Sequence, residues 1–145
     1  MEHRVLEYHH DPRSHDFGAE AVAALTGGEL VAEQIFKTLV LALPKGLAVA
    51  VLPVPAKLSL KAAAAALGVA KATMADPADA QRSSGYVLGG ISPLGQRRRL
   101  PTVLDSSALG FDEVLFSAGK RGMSLAVAPG DLVALTSAVV VDICA

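Results

Sequence analysis

Two long runs of apolar residues, at positions 35–43 and 47–54, give the clearest pattern in this chain. Pro44, Lys45 and Gly46 separate them, and both runs are rich in Val, Leu and Ala. Two such runs around a short Pro/Gly turn predict a β-hairpin within a well-covered sheet. Lys37 interrupts the first run. Its side chain must therefore reach solvent, pair with an acid or face a polar pocket.

Shorter elements account for most of the remaining chain. Glycines, prolines and capping residues at their ends predict helices at 18–25, 60–67, 77–83 and 129–137. Short apolar runs predict strands at 5–8, 72–74, 102–104, 113–118, 125–127 and 139–141. Strands outnumber helices and the connections are short. We therefore expect an α+β fold with a mixed, partly closed, barrel-like sheet, helices packed outside it, and a single domain spanning 1–145.

A glycine-rich segment, residues 85–95 (GYVLGGISPLG), does not fit either type of element. Glycine loses the most backbone entropy when it is ordered, and Ser92 is disfavoured in a helix because Pro93 follows it. The segment predicts a shaped loop whose backbone N–H groups can approach a ligand with no Cβ between them. An ordinary tight connection is the alternative.

Charge is distributed unevenly along the chain. The net charge of −1 does not suit a general nucleic-acid coat, but residues 81–121 contain six basic side chains against three acidic ones. The basic residues are Arg82, Arg97, Arg98, Arg99, Lys120 and Arg121. Because this segment includes the glycine-rich loop, its charge favours a phosphate-bearing ligand. A solvated charged turn is the alternative.

Hydropathy bears on the cellular location. Apolar residues make up 52% of the chain and the mean hydropathy is +0.44, which is high for a soluble protein. The longest nearly apolar stretch, 39–54, is interrupted at 44–46, and neither part is long enough to span a bilayer. No apolar segment of the signal-peptide type follows the first residues. We expect a soluble, cytoplasmic protein with no membrane partner.

The histidines and the cysteine are the other candidate reactive groups of the chain. His9, His10, Asp11, His15 and Asp16 form a candidate metal cluster. Adjacent histidines point in different directions in a strand or a helix, so a polar surface loop is the expected structure. The single cysteine, Cys144, lies beside the C-terminus and is not expected to be a nucleophile. We expect neither a metal nor a cofactor.

The remaining candidates suit binding better than covalent catalysis. The chain has no Gly-x-Ser-x-Gly elbow, no P-loop and no dinucleotide fingerprint. It offers the glycine-rich loop, Lys37, the arginines and a second glycine-flanked basic turn at 117–122. Such groups bind a carbonyl or a phosphate and stabilise developing negative charge, but they supply no protein nucleophile.

Three segments, in this order, resemble the YbaK/EbsC family, the free-standing relatives of the editing domain inserted in bacterial prolyl-tRNA synthetases. They are 36–39 (FKTL), 74–77 (MADP) continuing through 85–95, and 117–122 (SAGKRG). The chain looks most similar to the branch that deacylates Cys-tRNA(Pro), in which the GGISPLG loop is followed by basic residues and LPT, as at 100–102 here. The resemblance covers nearly the whole chain from Tyr8 onward.

The resemblance implies a role for individual residues. The implied catalytic residues are Lys37, Gly89 and Gly90. Lys37 would engage the aminoacyl ester or the terminal phosphate of the tRNA acceptor end, and the backbone of the loop from Gly89 to Pro93 would surround the aminoacyl carbonyl. The implied substrate-binding residues are Tyr8, Phe17, Thr38, Ile91, Ser92, Pro93, Ser117 and Gly119. The implied tRNA contacts are Arg97, Arg98, Arg99, Lys120 and Arg121.

The resemblance also implies a reaction and partners. The enzyme would remove cysteine from mischarged Cys-tRNA(Pro) in trans, with the substrate thiol attacking its own ester to release a cyclic thiolactone. Its partners would be the acceptor end of tRNA(Pro) and prolyl-tRNA synthetase. Ser124 departs from the family pattern, since relatives often carry an acid there. A deacylase for Ala-tRNA(Pro) or another mischarged tRNA, or a non-catalytic module that binds tRNA or a synthetase, are the alternatives.

Overall fold

The computed structural model describes residues 2–145 and contains eight strands and four helices within them. The strands are β1 His3–Glu7, β2 Phe36–Ala42, β3 Leu47–Pro53, β4 Thr73–Met74, β5 Thr102–Asp105, β6 Val114–Ser117, β7 Met123–Val127 and β8 Val139–Val141. The helices are α1 Phe17–Leu25, α2 Leu60–Leu67, α3 Pro77–Ser84 and α4 Pro129–Thr136, with 3₁₀ turns at Ala32–Gln34 and Ser106–Gly110. Each predicted strand and helix is confirmed, with bounds that shift by at most two residues.

The strands form two sheets, and the predicted hairpin lies at the centre of the larger one. Its order is β4-β2-β3-β5-β8, with β2 antiparallel to β3 and to β4, and with β5 parallel to β3 and to β8. The smaller sheet, β1-β7-β6, is antiparallel. The mixed α+β class is thus confirmed. Among the described residues, the two sheets are joined by a single isolated bridge, between Ile35 and Leu115. Residues 2–145 therefore form two sheets and not a closed barrel.

The apolar run of β3 is continuous because both faces of the larger sheet are covered. Alternate residues of a strand point to opposite faces. Val49 and Val51 pack with Phe116 of the smaller sheet and Leu132 of α4. Ala50 and Leu52 face the other way and pack against the alanines of α2. Small alanine side chains allow this helix to lie close to the sheet.

The glycine-rich segment begins where α3 ends, and its shape is set by hydrogen bonds. Gly85 caps α3 in the left-handed conformation. The hydroxyl of Tyr86 donates to the carbonyl of Leu94 at 2.6 Å, closing the segment on itself. The N–H of Arg97 then donates to the carbonyl of Ser84 at 2.9 Å. The segment is therefore the predicted shaped loop.

No helix within residues 2–145 is both long and apolar enough to traverse a bilayer.

Candidate active site

A cavity of about 370 Å³ opens between the start of α1, strand β2, the glycine-rich loop and strands β6 and β7. Seven of the residues predicted from sequence line it: Tyr8, Phe17, Lys37, Thr38, Gly89, Ile91 and Ser117. These residues come from distant parts of the chain and meet only because the two sheets and the loop converge here.

Lys37 lines this cavity. Of the three possibilities that the sequence left open for its side chain (solvent, an acidic partner or a pocket), the structure shows the pocket. Its Nζ donates to the carbonyl oxygens of Ala56 at 2.7 Å and Val54 at 3.3 Å. An ammonium group has three N–H donors, so one donor remains for a ligand. Burial lowers the pKa of Lys37, and the nearby Cys144 and Asp16 oppose that effect only in part.

Gly89 holds the loop against the aromatic ring of Phe17. Its φ is +82°, and a Cβ there would lie 2.3 Å from Cγ of Phe17. The guanidinium carbon of Arg121 lies 4.3 Å from the centroid of the same ring. Nε of Arg121 also donates to the carbonyl of Leu88 at 2.7 Å. Both ring and loop are thus held at the cavity rim by a cation–π contact and a hydrogen bond.

The glycine-rich loop and the second basic turn pack directly together. A Cβ at Gly90 would lie 2.9 Å from Cα of Lys120, and one at Gly119 would lie 3.0 Å from Cε1 of Tyr86. The N–H of Gly90 is already used, since it donates to the carbonyl of Val87 at 2.9 Å. These two glycines permit a close backbone approach behind the cavity wall rather than contributing to the wall.

Ser92 and Pro93 also lie outside this cavity. Ser92 is buried, and its hydroxyl accepts a hydrogen bond from the N–H of Leu94 at 3.2 Å. Pro93 instead lines a separate cavity of about 320 Å³, together with Arg98 and Arg99. Pro93 therefore does not line the 370 Å³ cavity, and it could affect a ligand there only through the rest of the loop.

The predicted tRNA contacts are exposed side chains outside the cavity. They are Arg97, Arg98, Arg99, Lys120 and Arg121. Arg99 donates to the hydroxyl of Ser137 at 2.8 Å, which links this cluster to the end of α4. Arg121 borders the cavity because it contacts Phe17 and Leu88, which both line it.

Two polar wall residues were not among the predicted site residues. Ser124 is buried in β7 and pairs with Ser117 of β6, so two serines lie side by side in the wall. Asp16 lies at the exposed mouth and caps α1 by accepting from the N–H of Ala19 at 3.2 Å. Alternation along 123–127 does not signal the position of Ser124, because Leu125 and Val127 pack on one face of β7 while Ala126 packs on the other. The position of Asp16 depends on how α1 packs, and no local pattern encodes it.

Thr38 contributes an unusual feature to the wall. Its hydroxyl oxygen is buried and has no hydrogen-bond partner among the described residues. A buried polar atom without a partner costs free energy in the unliganded protein.

The histidines and the cysteine do not line the cavity. Nδ1 of His10 donates to Glu20 at 2.6 Å, and this bond lowers the pKa of the Glu20 carboxyl group. Within residues 2–145, no group of three or more His, Cys, Asp or Glu side chains is placed to hold a metal ion. Desolvation and a hydrogen bond to Asp105 raise the pKa of the Cys144 thiol to about 11. The thiol is therefore neutral at physiological pH, a poor nucleophile.

The sequence and the fold match a known class of protein. The aminoacyl-tRNA editing domain family matches residues 15–135, and the chain belongs to this family. A protein of Enterococcus faecalis named "Putative Cys-tRNA(Pro)/Cys-tRNA(Cys) deacylase EbsC" is 38% identical over 143 residues, covering 92% of this chain and 86% of that protein. The family resemblance inferred from the sequence is confirmed.

Solved structures agree with this assignment. A crystal structure described as "a putative trans-editing enzyme for prolyl tRNA synthetase" has a TM-score of 0.82 and 29% identity, covering 99% of this chain and 87% of that chain. A crystal structure of a hypothetical protein has a TM-score of 0.85 and 26% identity, covering 100% of this chain and 93% of that chain.

Proposed function

We propose that this protein is a deacylase acting in trans that removes cysteine from mischarged Cys-tRNA(Pro). The observation that carries the proposal is Lys37, which has one unused N–H donor and lines the same cavity as Gly89. A cation and a glycine backbone in the wall of one cavity suit an ester carbonyl, where negative charge develops during acyl transfer. Family membership supports an aminoacyl-tRNA as the substrate.

The composition of the wall supports a reaction in which the substrate supplies the nucleophile. Among the described residues that line the cavity there is no cysteine and no histidine, so the wall holds no Ser–His or Cys–His pair. In the proposed step the substrate sulfur forms a bond to its own ester carbonyl carbon. The bond from that carbon to the ribose oxygen breaks, the thiol proton passes to this oxygen, and a cyclic thiolactone leaves.

Orientation is then the main contribution of the protein. A thiol and an ester on one small residue react faster when their relative geometry is fixed. Apolar side chains of Ile35, Leu39, Val54 and Phe116 line the cavity and suit a small, weakly polar side chain such as that of cysteine. Arg121 lies at the cavity rim, and Lys120 precedes it in the exposed turn, where both would contact phosphates of the acceptor end. Prolyl-tRNA synthetase is the partner proposed to deliver the tRNA.

The test is a deacylation assay with purified protein on Cys-tRNA(Pro), Ala-tRNA(Pro) and Ser-tRNA(Pro). Cysteine should be lost selectively, and thiolactone should be recovered as the product. Loss of alanine would retain the deacylase and overturn the thiol chemistry. Binding of all three substrates without cleavage would identify a non-catalytic tRNA-binding module instead.

A further inference from the structure

Asp16 is the only carboxylate among the described residues that line the cavity. Its Oδ1 caps α1 through the N–H of Ala19 at 3.2 Å, and Oδ2 accepts no hydrogen bond from any described residue. The side chain is therefore fixed by the helix while one oxygen stays available at the exposed cavity mouth. A carboxylate held in this way can receive a cation without first losing much side-chain entropy.

The substrate class brings such a cation. An aminoacyl ester carries an α-ammonium group close to the ester carbonyl, and that group needs a charged or polar partner once it leaves water. Lys37 is the other charged residue of the wall, and it would repel an ammonium group. The other nearby acid, Glu20, is already engaged by His10 at 2.6 Å and by the N–H of Asp11 at 3.0 Å.

Asp16 and Lys37 also lie within electrostatic range of one another. Burial lowers the pKa of Lys37, and the charge of Asp16 is among the effects that partly oppose this. The cavity thus has a cation on β2 and an anion at the start of α1. A full negative charge on Asp16 outweighs the partial positive charge, about half a unit, of the helix N-terminus. This polarity matches a ligand with an electronegative ester at one end and an ammonium at the other.

We propose that Asp16 binds the α-ammonium group of the aminoacyl moiety and orients its ester toward Lys37. The site would then select tRNAs carrying a free amino acid over those whose amino group is blocked, as in peptidyl-tRNA. This inference rests on the proposed function, because it assumes an aminoacyl ester in the cavity.

The variant Asp16→Asn separates charge from structure. Asn caps helices about as well as Asp, so α1 should remain intact while the negative charge is lost. Asp76→Asn is the matched control, since Asp76 caps α3 by the same kind of bond, to the N–H of Ala78 at 3.1 Å, and does not line the cavity. Both variants should unfold at nearly the same temperature as the wild type. That result would show that each helix still forms.

The measurement uses Cys-tRNA(Pro) and its N-acetylated form, which keeps both the thiol and the ester. The wild type should prefer the free amine, and Asp16→Asn should lower kcat/KM for that substrate by about tenfold, the loss of one charge-assisted contact. The N-acetylated substrate should be cleaved equally by both proteins. An unchanged preference in Asp16→Asn would overturn the role of Asp16 while leaving the deacylase in place.

A binding measurement distinguishes failure of the inference from failure of the proposed function. The probe is a non-cleavable 3′-alanylamino adenosine, with its amino group either free or acetylated. If the protein cleaves no aminoacyl-tRNA, the proposed function fails. Weaker binding of only the free-amine probe by Asp16→Asn, by about tenfold, would still support ammonium recognition. Equal binding of both probes by both proteins would overturn it.

Discussion

A Cβ at position 89 would lie 2.3 Å from Cγ of Phe17, so the glycine-rich loop touches the first residue of α1 with no space between them. Arg121 stacks on the same ring at 4.3 Å and anchors the loop through Leu88. Together these contacts join three parts of the chain at the edge of the cavity: the glycine-rich loop, the start of α1 and the second basic turn. The shape of the site depends on the absence of a side chain at this position.

Gly89→Ala should disrupt the cavity, because the new methyl group must displace Phe17. Gly46→Ala is the matched control, since its φ of +83° is almost the same as the +82° of Gly89 but no atom lies within 4 Å. The free energy of unfolding of each variant should fall by about 1 kcal/mol, because alanine is disfavoured at a positive φ. Only Gly89→Ala should lose further stability and activity, as measured by chemical unfolding and deacylation. Equal behaviour of the two variants would show that contact with Phe17 is unimportant.

Lys37→Ala should abolish deacylation and leave the fold intact. The change removes the only cation of the described cavity wall, and with it the N–H donor that we propose for the substrate ester. Lys45→Ala provides the comparison, because Lys45 lies in the exposed turn of the same hairpin. Single-turnover rates should fall by about 100-fold or more in Lys37→Ala, as when an electrostatic donor is removed from other acyl-transfer sites. Turnover by Lys37→Ala at the wild-type rate would exclude the assigned role.

Replacing both Arg98 and Arg99 by alanine should weaken tRNA binding without changing the chemical step. Each phosphate contact that is lost should reduce the slope of log K against log salt by roughly 0.7 to 0.9. A Lys61→Ala/Lys71→Ala pair removes the same charge from another exposed surface and should have little effect. The measurement is tRNA affinity across a salt series. Identical slopes for the wild type and the arginine variant would place the tRNA elsewhere.

Asp105 should make stability depend on pH. Burial raises the pKa of this carboxyl group, but hydrogen bonds from Ser107, Ile143 and Cys144 outweigh it, so the net pKa is lowered. A group with a lowered pKa in the folded state stabilises the protein above its unfolded pKa, about 3.9, and loses that effect as the pH falls through the folded value. Stability should therefore decline in acid below about pH 4.

The variant Asp105→Ala tests this directly. The buried N–H of Ile143, which donates to Asp105 at 3.0 Å, would lose its acceptor. The free energy of unfolding at pH 7 should fall by about 1.5 to 3 kcal/mol, and the acid-dependent decline should be smaller than in the wild type. Asp112→Ala, in an exposed turn, serves as the control. Parallel pH profiles for wild type and Asp105→Ala would contradict the prediction.

Local features of the fold were predictable because their causes are local. Ser59 accepts from the N–H of Ala62 at 3.1 Å, and Gly68 ends α2 in the left-handed conformation, as their positions indicated. The hairpin formed for the same reason, since Pro44 and Gly46 lie between two apolar runs. The parallel pairing of β3 with β5 and of β5 with β8 was not predictable. Pairing between distant strands depends on tertiary packing, not on the periodicity of either strand.

In the candidate site, too, some features follow from the local sequence and others only from tertiary packing. The sequence by itself determined the hairpin with its anomalous Lys37, the glycine-rich loop, and the order of motifs that indicates an editing family. Only the tertiary structure decided that Gly89 faces Phe17, that Gly90 and Gly119 lie behind the wall, and that Asp16 and Ser124 line it. The physical reason is that capping, turns and strand alternation act over a few residues. The cavity wall is set by the way two sheets and a helix pack, which brings together side chains far apart in the chain.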